Sequence, residues 1–344
     1  MNGNEPQAFP RRATLRDVAR EAGVSQSTTS RALSGEGYVA AGVRRRVLDA
    51  AETLGYVPHA MARSLRKQDS RTIGVLVSDL RNTFYADLAA GIAAHARREG
   101  LTMMLVDDQG STEAEMDAAR VFVATRVAGV IVTPLSGDVS EYLMRQHIPV
   151  IEADRQFSGG RCDAVIIDNE GVARRMTDHL IDLGHRRIAL FIDETTWTTG
   201  GERAAGYRRS LAESGIAADP ALIISTGWDA VGARKSAIDI LARRDHPTAI
   251  FAANNLLAEG VWRATNDLGL RIPEDVSVVS FDDSQWMSMV SPGITAVAQD
   301  AVALGEAAMD RLLARIADPA ADPRTMVLDA QLLPRGSTAA PRVG

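Results

Sequence analysis

The sequence predicts a small all-α helix-turn-helix head joined to an α/β domain of repeated strand-helix units. Three observations carry this. Residues 14–33 read as two short helices around a tight turn. From Thr72 onward, short apolar runs alternate with amphipathic stretches, the pattern of parallel sheets covered on both faces. The charge is also divided. Residues 11–71 hold 12 Arg/Lys against 6 Asp/Glu, a net of +6, whereas residues 72–344 hold 26 against 37, a net of −11. A basic head on an acidic body implies that only the head meets a polyanion.

A chain of 344 residues suggests two or three domains. Its 46% apolar and 24% charged content is ordinary for a soluble globular protein. No run of 18 apolar residues exists, so no transmembrane helix is predicted. The first residues lack the apolar core of a secretory signal, and a cytoplasmic location is expected. Cys162 is the single cysteine and reads as a small buried residue in a reducing compartment. The six histidines are scattered without metal-ligand spacing, and neither a metal nor a cofactor is expected.

Residues 1–12 read as a disordered tail, and the head is expected over 13–57. Leu15, Val18, Ala19 and Ala22 fall on one stripe of a first helix. Thr14 is a suitable N-cap, with Asp17 completing a capping box. Gly23 stands where a left-handed residue ends the helix. Ser25 caps a second helix whose inner positions are Thr29, Ala32 and Leu33. That leaves Gln26, Ser27, Thr28, Ser30 and Arg31 on outer faces, where amide and guanidinium groups can read base edges in a major groove. A third helix is predicted over 41–54, with Arg44, Arg45 and Arg46 near its start to reach phosphates.

The stretches GVSQSTTSRAL and LGYVPHAMARSL resemble the lac-repressor (LacI/GalR) family of bacterial regulators, and the likeness extends over roughly 14–334. The resemblance implies a sequence-specific DNA-binding transcriptional regulator, expected as a repressor, that sits on the nucleoid when bound. It implies that Thr14, Ser25, Gln26, Ser27, Thr28, Ser30, Arg31 and Arg44 serve DNA binding. It further implies a hinge over 58–71, in which His59, Ala62, Arg63 and Leu65 fold into the minor groove and Leu65 wedges open a base step. Two departures stand out. Ala40 and Val43 replace the usual Ser or Thr, which removes a helix cap, and His59 replaces the usual Asn.

For residues 72–334 the resemblance implies a periplasmic-binding-protein-like fold of two lobes, which binds effector and dimerises. The chain is expected to cross between lobes after about Asp168, near Ala296 and near Arg324. Strands are predicted at 73–77, 103–106, 129–132, 150–152, 165–167, 188–192, 248–252 and 276–280, with helices such as 85–99 and 172–183. Residues 335–344, PRGSTAAPRVG being the tail after Leu333, read as flexible and without an apolar heptad. A homodimer on a pseudo-palindromic operator is therefore expected.

In open parallel sheets, ligands bind beyond the carboxyl ends of the strands. Asp79, Asn82 and Phe84 follow the first strand, Thr133 the third, and Arg155, after Asp154, the fourth. Arg203 opens an R-x-x-G-Y match, Trp228 precedes a helix, Asn254 follows Phe251, and Asp282 lies in S-F-D-D. Asp, Asn and Arg offer paired hydrogen bonds to neighbouring hydroxyls, and Phe84 and Trp228 offer flat faces. The mixture resembles the family's sugar-binding sites and implies a sugar or sugar derivative as effector, with a purine-like ligand as the alternative. Asp168 and Asn169, at another strand end, serve equally as helix caps.

Two other functions share parts of this pattern. A transporter's solute-binding protein would have the cleft, but with a signal sequence and no basic head. An enzyme on a Rossmann-like sheet would show a glycine fingerprint or nucleophile elbow, and none occurs at a strand-to-helix turn. Arg155 and Asp168 could do acid-base work, but neither a nucleophile nor a metal site joins them, so no catalytic residue is assigned.

Overall fold

The computed structural model describes residue 11 and residues 13–35, 37–56 and 70–342. The expected hinge residues His59, Ala62, Arg63 and Leu65 lie outside the described residues. The chain divides into two compact units, residues 1–70 and 71–344.

The smaller unit has three helices: α1 (Leu15–Glu21), α2 (Gln26–Ser34) and α3 (Ala41–Thr53). The Asp17 amide donates to Thr14 Oγ1 at 3.3 Å, and the Thr14 amide returns to Asp17 Oδ2 at 2.9 Å. Two otherwise orphaned donors of the first turn are thereby satisfied. Gly23 adopts φ +64°, which carries the chain into the turn without a Cβ clash. Ser25 Oγ accepts the Thr28 amide at 3.2 Å and caps α2. Ala40 gives α3 no side-chain cap, as the departure from Ser or Thr implies. Val18, Ala22, Ala32, Val47, Ala50 and Ala51 are buried together, and Val24, Leu33 and Leu54 close around them.

The larger unit begins with β1 (Thr72–Val77), α4 (Thr83–Arg98), β2 (Thr102–Asp107), α5 (Thr112–Thr125), β3 (Val130–Val132), α6 (Gly137–Arg145), β4 (Val150–Ala153) and β5 (Asp163–Ile167). These form the first lobe. The second lobe holds α7 (Asn169–Asp182), β6 (Ile188–Ile192), α8 (Thr198–Glu213), β7 (Ile223–Ser225), α9 (Ala230–Leu241), β8 (Ala249–Ala252), α10 (Asn255–Asp267), β9 (Ser277–Phe281), α11 (Gln285–Met289) and β10 (Thr295–Gln299). The chain then returns through α12 (Ala301–Ala317) and β11 (Thr325–Leu328) to the first lobe, and ends in the second with β12 (Ala330–Leu333).

Each lobe is built on a six-stranded sheet, in the orders β11-β5-β4-β3-β1-β2 and β12-β10-β9-β8-β6-β7. Every pairing is parallel except β10 with β12. The first crossing falls at Asp168, as expected. The second, expected near Ala296, comes just after Gln299, because β10 pairs with β9 through Val297. The third comes at Asp329 rather than near Arg324, because β11 first pairs with β5 from Thr325 to Leu328.

Helix pairs seal the sheet faces. Gly91 on α4 and Gly305 on α12 let those two helices touch backbone to backbone: a Cβ at Gly91 would strike the Val302 carbonyl, and one at Gly305 the Leu88 carbonyl. Asp163, fully buried, locks α12 to β5. It receives Arg311, Arg315 Nε at 2.7 Å and the Arg324 amide at 3.0 Å. Burial pushes its carboxyl up, but the two guanidinium groups prevail and hold it below its ordinary value.

The expectation of a flexible tail from residue 335 needs correction, since residues 335–342 are ordered against the second lobe. Arg335 pairs with Asp283 through two 2.7 Å contacts. Ser337 is fully buried, with Oγ accepting the Thr295 amide at 2.7 Å and donating to the Val278 carbonyl at 2.6 Å. The Ala339 carbonyl meets His185 Nε2 at 2.9 Å. Small polar residues that read as linker here complete a buried hydrogen-bond network. Among the described residues, no helix is long and apolar enough to cross a membrane.

Candidate functional site

In the head, α2 turns Thr29 and Ala32 inward, which leaves Gln26, Ser27 and Arg31 exposed and Thr28 and Ser30 half-buried. Thr14 and Ser25 have cap roles. The Arg31 Nε donates back to the Ser27 carbonyl at 3.4 Å, which lays the guanidinium along the exposed face. Arg44, on α3, is half-buried.

In the larger unit a cavity lies between the lobes, beyond the carboxyl ends of both sheets. Of the nine effector residues expected, Asp79, Asn82, Arg155, Trp228 and Asn254 line it. Arg155 is 4% exposed and is the cation of this lining. Its Nη1 donates to Ser78 Oγ at 2.9 Å and its Nη2 to Tyr85 Oη at 2.7 Å, while its Cζ lies 4.0 Å from the Trp197 ring centre. Tyr85 passes a hydrogen bond on to Asp154 at 3.4 Å. Burial raises the Tyr85 hydroxyl far above its usual value and raises Asp154, against the pull of Arg155. Asp154 itself adopts φ +66°, a costly conformation for a non-glycine residue.

Across the cleft, Trp197 and Trp228 stack with centres 5.7 Å apart and planes 11° from parallel. The outer indole, Trp228, abuts Gly110 of the first lobe, where a Cβ would run into its six-membered ring. Asn254 caps α10 through the Leu257 amide at 2.8 Å and donates to Asp193 Oδ2 at 3.1 Å. Asp193 is raised by burial, against Arg203 and Arg155. Asp79 is held by Arg81, whose Nε and amide each approach Oδ1 at 2.9 Å.

The other four expected residues do not line this cavity. Thr133 is buried beneath it, its Oγ1 3.4 Å from Ser78 Oγ. Arg203 lies under the second lobe's floor. It donates to Asn169 Oδ1 at 2.9 Å and to the Ala253 carbonyl at 2.6 Å, and packs 3.6 Å over the Phe281 ring. Phe84 and Asp282 line a second cavity, with Asp87, Asn255, Asp283 and Gln299. Asn255 sits at the junction: its Nδ2 reaches Asn82 Oδ1 and Ser284 Oγ, each at 2.9 Å. Asp168 is the cap of α7, as its alternative reading had it.

Sequence reasoning missed Ser78, Tyr85, Gly110, Asp193, Trp197 and Leu256 of the lining. Asp193 was within reach, because it directly follows β6 and the strand-end rule applies to it. Trp197 and Gly110 carry no local signal; they meet Arg155 and Trp228 only through folding.

Comparison with known proteins gives the same division of the chain. Residues 14–59 match the bacterial regulatory proteins of the lacI family, and residues 177–338 match a periplasmic binding protein-like domain. The chain is 33% identical over 328 residues to the HTH-type transcriptional repressor PurR of Vibrio atlanticus, covering 94% of this chain and 98% of that protein. Among solved structures it resembles the lac repressor dimer bound to operator and the anti-inducer ONPF, with a TM-score of 0.82 and 30% identity over 96% of this chain and 100% of that one. A lacI-family regulator from Enterococcus faecium with bound ribose aligns with a TM-score of 0.71 and 29% identity, over 79% of this chain and 100% of that one.

Proposed function

This chain belongs to the lacI family of bacterial regulatory proteins, and on that premise we propose that it is a repressor whose operator affinity is set by a small effector held between its lobes. The carrying observation is the cavity between the lobes, where Arg155, Asp193 and the paired indoles converge in one chain with a helix-turn-helix head. The effector is a sugar or sugar derivative. Indole faces suit the apolar side of a sugar ring, and Arg155, Asp79 and Asp193 suit its hydroxyls. The ribose bound by the Enterococcus faecium regulator supports this class. The near-parallel, stacked indole pair also favours a second reading, a flat purine-like base.

The chain acts as a homodimer on double-stranded, pseudo-palindromic DNA. Gln26, Ser27 and Arg31 reach base edges, Ser25, Thr28, Ser30, Thr14 and Arg44 hold the backbone, and His59, Ala62, Arg63 and Leu65 form the minor-groove hinge. A gel shift on DNA from upstream of its own gene, combined with thermal shifts against D-ribose, D-glucose, cellobiose, hypoxanthine and guanine, tests both halves. A specific shift and a sugar-induced rise in Tm are expected. Failure to bind that DNA, or stabilisation by the bases alone, would overturn the corresponding half.

A further inference from the structure

Three helix starts meet where the lobes face one another. Asn82 precedes α4 in the first lobe, Asn255 opens α10 in the second, and Ser284 precedes α11 in the second. All three side chains are buried. The Asn255 Nδ2 donates to Asn82 Oδ1 of the first lobe and to Ser284 Oγ of its own lobe, each at 2.9 Å, with Thr83 Oγ1 of the first lobe at 3.3 Å. Thr83 and Ser284 meet in turn, hydroxyl to hydroxyl, at 3.2 Å.

The backbone fixes the polarity of this contact at both ends. Asn82 Oδ1 also accepts the Phe84 amide at 3.0 Å, so it is oxygen that faces Asn255. Asn255 Oδ1 accepts the Leu256 amide at 2.9 Å, so it is the NH2 group that faces Asn82. Ser284 stands where a serine ordinarily caps a helix, but its side chain makes no cap bond to α11. Its hydroxyl is given to Asn255 and Thr83 instead.

We propose that Asn255 is a positioning residue whose side-chain amide is a reversible latch between the lobes, setting how far the cleft stands closed. The latch is also the partition between the two cavities, since Asn82 and Leu256 line the first and Thr83 and Asn255 the second. Its strength suits a switch. When the lobes part, Asn255 exchanges its bond to Asn82 for one to water and keeps its bond to Ser284. No buried donor is orphaned, so the latch is worth one ordinary exchange, roughly fivefold in the ratio of closed to open chains. Elsewhere between the lobes the Gln156 amide reaches Thr198 Oγ1 at the longer distance of 3.4 Å. A ligand that needs the closed cleft binds with an apparent affinity that falls with the closed fraction. That consequence rests on the cavity being the effector site, whereas the latch itself is read without any ligand.

The test uses the full chain and two variants that remove the same bond from opposite sides. Asn255→Ala takes away the donor. Asn82→Ser takes away the acceptor, while a serine can still cap α4 through the Phe84 amide; it also keeps the test open should Asn255→Ala fail to fold. Spin labels at Arg120→Cys and Lys235→Cys, both exposed, report the distance between α5 and α9 by double electron–electron resonance in a Cys162→Ala background. Labelled chain is mixed with excess unlabelled chain, so that distances within one chain dominate. Each variant should move the closed-to-open ratio about fivefold toward longer distances. The double variant should move it no further than either single one, because all three lose the same bond between the lobes. A variant that lowers Tm but keeps the wild-type distance distribution would overturn the proposal, since Asn255 would then serve its own lobe alone. Two single shifts that add in the double variant would also overturn it, because the residues would then act separately.

Discussion

The two lobes solve the same backbone problem and then use their arginines in opposite ways. In each, the fourth strand from the lobe's start, β4 or β9, delivers a buried aspartate in a left-handed conformation: Asp154 and Asp282, both at φ +66°. In each, an arginine acts on that carboxylate. In the first lobe the arginine is the next residue, Arg155, and it faces the cavity over Trp197. In the second it is Arg203 from α8, and it turns beneath the floor to Asn169, the Ala253 carbonyl and Phe281. The difference is one of placement: both arginines spend donors on their own lobe, but Arg155 lines the cavity and Arg203 does not. Arg203 holds the second lobe's floor together, and Arg155 is the arginine that the proposed function gives to the effector.

The largest expected effect separates these roles. Arg203→Ala leaves the Ala253 carbonyl, Asn169 and nearby Asp193 and Asp282 uncompensated in a dry interior. We expect a loss of about 3–5 kcal/mol in denaturant unfolding, the range for breaking a buried pair. Arg155→Ala should keep operator binding and abolish the thermal shift by sugars. If the two variants instead lose stability and ligand response in equal measure, the distinction between the lobes fails.

A second contrast concerns acid. Burial pushes Asp282 up to about 6, against Arg203, so its contribution to stability is complete below about pH 4 and lost as pH rises through about 6. Asp163 is held below its ordinary value by Arg311 and Arg315, so its contribution is present above about pH 4 and lost as pH falls. Asp282→Asn should therefore gain stability near neutrality, by about 2–3 kcal/mol. Asp163→Asn should lose it there, with the loss shrinking in acid. Tm profiles from pH 3 to 8 check both signs.

A smaller effect is expected in the head. Arg31→Ala should cost about 1–3 kcal/mol on operator and little on random DNA. An equal loss on both, in anisotropy titrations, would reduce Arg31 to a phosphate contact. Smallest is Trp228→Phe, which keeps a flat face on Trp197 and should weaken sugar binding by about 1 kcal/mol, read by calorimetry.

Much of this was legible in the sequence because the signals are local. The Thr14–Asp17 box, Gly23 and the Ser25 cap are set by neighbours three residues apart. The runs at β1, β6 and β8 are buried throughout and so read as core strands. The strands that escaped notice are β7, β10, β11 and β12: small or polar residues interrupt β10 and β12, and the apolar residues of β7 and β11 are half-exposed or exposed. The site was half legible for a related reason. Strand ends locate Asp79, Arg155 and Asn254, but the direction of Arg203 is decided by the Ala253 carbonyl, 50 residues away in the chain. The Ser337 network was hidden in the same way, because its partners Val278 and Thr295 lie far back in the sequence.

The most direct test of the account is an anisotropy titration of labelled upstream DNA by the wild type and by Arg155→Ala, with and without the panel sugar that most raises the wild-type Tm. The account predicts that the sugar changes the wild-type Kd at least about tenfold, about 1.4 kcal/mol of coupling, and leaves that of Arg155→Ala unchanged. A variant that binds the DNA normally and still responds to the sugar as the wild type does would contradict it.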